Sequence, residues 1–247
     1  MRVEGARIGW MLSLCAAAGE GGGSFRYASQ PVHHRHDGPA RDPERSAAEA
    51  ARRARSKARR YCAANGLNRL GTLTYEDKGV HDPVMLRRHL GEFFRALRLS
   101  LGGKPFPYLW VPEWHKTDHG LHVHFAVDRY IKKSLLRAVW GRGHVGIKLL
   151  GDLPVGSGKL EEARQAARYL SKYIGKDFDH DRMTGLHRYE VAQGFQPETV
   201  QLWGRSAEDV IEQASDLMGG KPPAIVWTSD QAEGWEGPPA VWVSWRG

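Results

Sequence analysis

The spacing of apolar positions changes several times along the chain, and each change marks a predicted element. Arg69–Tyr75 (RLGTLTY) alternates as a strand does. From Pro83 to Leu101 the residues Val84, Met85, Leu86, Leu90, Phe93, Phe94, Leu97 and Leu101 recur at helical spacing, and Gly102-Gly103 ends the run. Tyr108–Trp114 and Leu121–Val127 read as strands joined by a polar turn around Asp118–Gly120. Lys132–Trp140 then reads as a helix, His144–Leu150 as a strand and Glu161–Lys176 as a second long helix. The order is β-α-β-β-α-β-α. Up to the last strand it is the order of a ferredoxin-like split βαβ unit, an α+β class in which helices flank a central antiparallel sheet.

The flanks are less regular. Residues 1–45 predict a flexible segment, with Gly19, Gly21, Gly22 and Gly23 leading into a run that holds His33, His34, His36 and Pro39. Ile8–Ala18 is apolar behind Arg2 and Arg7, but it is short and Glu4 interrupts the basic lead, so an export signal is not expected. Residues 46–66 predict a helix, with Ser46 and Glu49 as a capping box and Asn65-Gly66 as the stop. Its apolar stripe is Ala47, Ala51, Ala54, Ala58 and Tyr61. Arg52, Arg53, Lys57, Arg59 and Arg60 fill much of the rest, as a solvated face or as contacts to phosphates. The chain thus divides into a flexible start, this basic helix, a central domain over 67–180 and an extension over 181–247. In the extension Ser206–Met218 reads as a helix, and Ala224–Trp227 and Ala240–Trp245 read as short strands. Trp227, Trp235, Trp242 and Trp245 there suit a small core or a stacking surface for unpaired bases.

Composition narrows the class. No long uninterrupted apolar run exists, so no membrane helix is expected. Cys15 and Cys62 form no CxxC pair, which excludes a thiolate zinc site of that kind. The net charge of +8 is unevenly spread: +6 over residues 1–60, +7 over 61–180 and −5 over 181–247. A polyanion-binding face is therefore expected in the first two stretches, away from the acidic extension.

Within the central domain, His122-Val123-His124 lies mid-strand, so both imidazoles share one face. If the turn centres on Thr117–Asp118, Glu113 of the preceding strand lies nearly opposite His122. One carboxylate and two imidazoles with open coordination positions suit Mg²⁺ or Mn²⁺ acting on a phosphate oxygen; His115 is the alternative to Glu113. In the last helix Tyr169, Lys172, Tyr173 and Lys176 form one stripe, separate from Ala163, Ala166, Ala167, Leu170 and Ile174. The tyrosines are thus not needed to fill the core, and phenols beside ammonium groups suit attack on a phosphodiester.

Taken together, these motifs resemble those of HUH endonucleases of the rolling-circle replication initiator (Rep) group. Gly71-Thr72-Leu73-Thr74-Tyr75 is similar to the first motif, His122-Val123-His124 to the second, and Tyr169 through Lys176 to the two-tyrosine third. The resemblance implies an enzyme that nicks single-stranded or hairpin origin DNA through a 5′-phosphotyrosyl intermediate and later rejoins it. It implies Tyr173 as first nucleophile, in a KYxxKD-like context, Tyr169 for the second transfer, and Lys172 and Lys176 as assistants. His122, His124 and Glu113 would hold Mg²⁺ or Mn²⁺. Gly156-Ser157-Gly158-Lys159-Leu160 lacks the outer Gly and the Ser/Thr of a Walker A loop, so unwinding would fall to a host helicase and replication machinery, in the cytoplasm. An HUH transposase and a catalytically silent DNA-binding replication regulator are the alternative readings.

Overall fold

The computed structural model describes residues 8–27, 43–115, 118–149, 158–175 and 187–245. The elements open with β1 (Gly9–Cys15), β2 (Glu20–Arg26), α1 (Pro43–Ala64), β3 (Arg69–Tyr75) and α2 (Pro83–Ser100). Next come β4 (Tyr108–Trp114), β5 (Leu121–Val127), α3 (Lys133–Trp140), β6 (Gly143–Leu149) and α4 (Lys159–Gly175). β7 (Glu190–Val191), β8 (Val200–Gly204), α5 (Ala207–Leu217), β9 (Ile225–Thr228) and β10 (Ala240–Ser244) complete the chain. The protein is α+β, with two antiparallel five-stranded sheets and five α-helices among the described residues. It divides into two compact units: Ala47–Gln196, and the segments Met1–Ser46 and Pro197–Gly247 together. Among the described residues no helix is long and apolar enough to cross a membrane.

The unit Ala47–Gln196 holds the sheet β6-β3-β5-β4-β7. Its first four strands have the order of the split βαβ unit, with β7 added at the edge beside β4. The alternation of each strand sorts its side chains between two cores. Leu121, Val123, Phe125 and Val127 of β5, with Leu73, Tyr75 and Trp110, pack under α2 and α3 against Leu86, Leu90, Phe93, Leu97, Leu136 and Trp140. On the opposite face Leu70, Leu109, Val111 and Ala126 pack against Ala58, Tyr61 and Cys62 of α1 and Ala166, Ala167, Leu170 and Ile174 of α4. Helices therefore cover both faces. Asp82 caps α2 by accepting from the Val84 amide at 2.8 Å, with Pro83 in the first turn.

Three sequence expectations are corrected. The basic helix begins at Pro43 rather than at Ser46, because proline at a first helical position has its φ already set. Over residues 9–26 the expected flexible start is instead the antiparallel pair β1–β2; His33, His34 and His36 lie outside the described residues. The glycines that suggested flexibility allow close strand approach, since a Cβ at Gly23 would stand 2.1 Å from the Met11 carbonyl oxygen. The extension is not separate either. β8, β9 and β10 join that pair in the order β8-β1-β2-β10-β9, and α5 packs Val210 and Ala214 on Leu12, Leu14, Val241, Val243 and Trp245. Trp227 and Trp242 are cross-strand partners, and Trp245 is buried, so these indoles serve the small core.

A contact between β3 and β5 sets the spacing beneath the histidine face. A Cβ on Gly71 would stand 2.0 Å from Cζ of the fully buried Phe125. Gly71→Ala is expected to destabilise the protein by about 1–3 kcal/mol through overpacking, read as a lower denaturant midpoint at unchanged slope. A midpoint equal to the parent's would contradict this packing.

Candidate metal and tyrosine site

The pleat of β5 turns His122 and His124 to the face covered by α1 and α4, while Val123 between them is buried on the other. In the β4–β5 register Glu113 lies directly opposite His122, and Val111 opposite His124. One carboxylate oxygen, Glu113 Oε2, stands 3.0 Å from Nε2 of His122 and 3.0 Å from Nε2 of His124, and the two nitrogens are 3.2 Å apart. These donor atoms converge closely enough to hold a metal ion. The donor set, one oxygen anion and two aromatic nitrogens aimed at one point, fits a divalent cation. His115 is exposed, and its ring lies 5.4 Å from that of His122, outside this group.

The protonation states suit that use. Burial pushes the His122 imidazole below its ordinary range, and the neighbouring His124 adds to the effect against the opposing pull of Glu113. His122 is thereby held neutral, as a ligand must be. Thr72, opposite His124 on β3, places Oγ1 3.4 Å from His124 Nδ1. With the proton on Nδ1 donated to Thr72, the lone pair of Nε2 faces the cluster.

α4 sets the tyrosines over this group. Its stripe of Ala163, Ala166, Ala167, Leu170 and Ile174 is buried, which turns Tyr169 and Tyr173 toward the histidine face, where both are half-buried. The Tyr173 ring stacks on His124, with centroids 3.9 Å apart and planes 20° from parallel. Tyr173 Oη donates to Tyr169 Oη at 2.9 Å, and the Tyr169 ring lies 6.3 Å from that of His124. Burial raises the Tyr173 pKa well above the usual phenol range, helped by the Tyr169 hydrogen bond and by Glu113, so its phenol is protonated at neutral pH.

Of the expected lysines, Lys172 is exposed with Nζ 5.8 Å from the centre of the Tyr169 ring, and Lys176 lies outside the described residues. Sequence reasoning missed Lys148 of β6, whose Nζ is 5.5 Å from the same ring centre. With Thr72, His124, Gly146 and Tyr169 it lines a cavity of about 200 Å³. The signal was present: counting cross-strand partners from His124 through Thr72 to Gly146 leads to this strand. Among the expected DNA contacts, Arg52, Arg53 and Lys57 are exposed on α1, while Arg59 and Arg60 are half-buried.

Calorimetric titration with Mn²⁺ checks the cluster. His122→Ala or Glu113→Gln is expected to abolish binding, and Thr72→Val to weaken it roughly tenfold by freeing the His124 ring. Because His122 is depressed, affinity should hold to below about pH 6.5 and fall only as further acidification protonates the ring. The same protonation opposes folding, so this contribution to stability also rises with pH and is lost toward acid. Equal Mn²⁺ affinity in parent and His122→Ala would contradict the assignment.

Comparison with known proteins adds one match. Residues 68–178, somewhat under half of the chain, match the family of the replication-associated protein ORF2. No curated protein and no solved structure matches. The matched stretch contains β3, the Glu113–His122–His124 group and the helix with Tyr169 and Tyr173, so the site lies wholly within the part similar to replication-associated proteins.

Proposed function

We propose that the protein is a rolling-circle replication initiator that nicks single-stranded or hairpin origin DNA through a 5′-phosphotyrosyl intermediate and rejoins it. One observation carries this reading: Tyr173 stacks on a histidine of the metal-capable group while its hydroxyl is hydrogen-bonded to a second tyrosine. The similarity of residues 68–178 to replication-associated proteins supports the choice of substrate.

In this reading Glu113, His122 and His124 hold Mg²⁺ or Mn²⁺. The bound cation acts as a Lewis acid on a phosphate oxygen and offsets the charge that develops there. Tyr173 is the first nucleophile. Its Oη forms a bond to phosphorus while the 3′ oxygen of the upstream nucleotide leaves with the bonding pair and takes up a proton. The phenolic proton departs along the hydrogen bond toward Tyr169 and on to solvent. Because the new P–O bond replaces the old one, rejoining needs no external energy source. Tyr169 performs the second transfer. Lys172 and Lys176 hold phosphate or assist the tyrosine proton, and Arg52, Arg53, Lys57, Arg59 and Arg60 contact the backbone. Strand separation is left to a host helicase and replication machinery, in the cytoplasm.

The test uses origin-strand oligonucleotides labelled at either end, with Mn²⁺ or EDTA, on a denaturing gel. A protein-linked band should carry only the downstream fragment and vanish with EDTA. Tyr173→Phe should remove it, a loss of about a thousandfold or more, while retaining DNA binding; Tyr169→Phe should impair joining more than first cleavage. Equal nicking by Tyr173→Phe would overturn the assignment of the nucleophile. Tight binding without a covalent band under any metal would point to a silent regulator instead.

A further inference from the structure

The helix that carries the two tyrosines is tied near its end to a second feature. Arg188 donates from Nη1 to the carbonyl of Ile174, the residue after Tyr173, at 3.4 Å. Its side chain also lines a cleft of about 580 Å³ at the β7 edge of the sheet. One wall is α1, where Ala50, Arg53, Ala54 and Lys57 form a single stripe. The small alanines leave space between the long basic side chains. The other wall is residues 187–191, and Arg87 of α2 lines it as well.

The charge of this cleft is lopsided. Arg53, Lys57, Arg87 and Arg188 face it against one lining carboxylate, Glu190, which lies 3.1 Å from Arg87. Arg53 has Glu49 at 3.5 Å, on the exposed side of the same helix. Burial, and then the proximity of Arg55, pushes the Arg188 guanidinium below its usual range, as in a site where cations are crowded. A polyanion relieves that crowding and releases counterions as it binds.

We infer that this cleft is a nucleic-acid subsite outside the metal group, taking the phosphodiester backbone of single-stranded DNA that flanks the reacting phosphate. Arg53, Lys57 and Arg188 contact its phosphates. The inference rests on the nicking reading above, but it is drawn from other residues. Two features select a single strand. Cations stand on facing walls, as a threaded backbone requires, and the cleft is too narrow for a duplex, which would meet only its rim. Its tie to α4 places the bound strand beside the helix that attacks DNA.

The experiment measures binding of labelled oligothymidylates of roughly 6 and roughly 30 nucleotides by fluorescence anisotropy over a salt series, in EDTA so that no cleavage intervenes. Arg53→Ala/Lys57→Ala changes two exposed positions to a good helix former, so the fold is retained. It should weaken the long strand about tenfold or more and lower the magnitude of the salt slope by about 1.4, two phosphate contacts' worth. The short strand should lose much less. Arg95→Ala/Arg98→Ala on α2 removes the same charge away from the cleft and should leave both affinities near the parent's. Equal weakening by the two pairs, or equal loss on short and long strands, would overturn the cleft assignment in favour of a general field. Equal competition by polyglutamate of matched charge would overturn the choice of nucleic acid. Absence of a covalent product in the parent protein defeats the nicking reading and is read on the gel, whereas the cleft stands or falls on these affinities.

Discussion

The pleat of β5 is the constraint on which the site depends. Leu121, Val123, Phe125 and Val127 are fully buried under α2 and α3, and strand geometry then leaves His122 and His124 no choice of face. A slip of one residue would bury two imidazoles in an apolar core and expose Val123 and Phe125. The same register sets Glu113 beside His122 and Thr72 beside His124. The hydrophobic half of the strand thus fixes the polar half, and α4 docks its alanine-rich stripe on the neighbouring Leu70, Leu109 and Val111 to set the tyrosines above it.

Electrostatics adds a second layer. Glu113 brings the formal negative charge to a partly desolvated cluster, His122 is held neutral by burial, and Tyr173 is held protonated. Each shift comes chiefly from burial, with close neighbours adding to it, and together they define a group whose balance a bound cation would change. Positive charge lies around this centre, at Lys148 and Lys172 near Tyr169 and in the β7 cleft. A phosphodiester meets cations on its approach and the cluster at its centre.

Much of the central unit was legible in the sequence because its signals are local. Strand alternation and helical spacing placed β3 to β6 and α2 to α4 within a few residues of their observed ends, and the two-residue spacing of His122 and His124 set their common face. What escaped depends on distant pairing. β2 is glycine-rich and reads as a loop; its glycines make sense only once Met11 and Leu12 are seen packed against them. β8 and β7 are short and take their form from β1 and from β4, each far away along the chain. Lys148 and Arg188 joined the picture only through cross-strand and helix-end neighbours. No local pattern separates them from ordinary surface cations.

The claim that organises the rest is that Tyr173, held on His124, is the atom donor to phosphorus. The most direct measurement is mass spectrometry of the protease-digested adduct formed on origin-strand DNA with Mn²⁺. The account predicts a nucleotide attached through its 5′ phosphate to the peptide that contains Tyr173. An adduct on a residue outside α4, a 3′ linkage, or cleaved DNA with no adduct at all would contradict it.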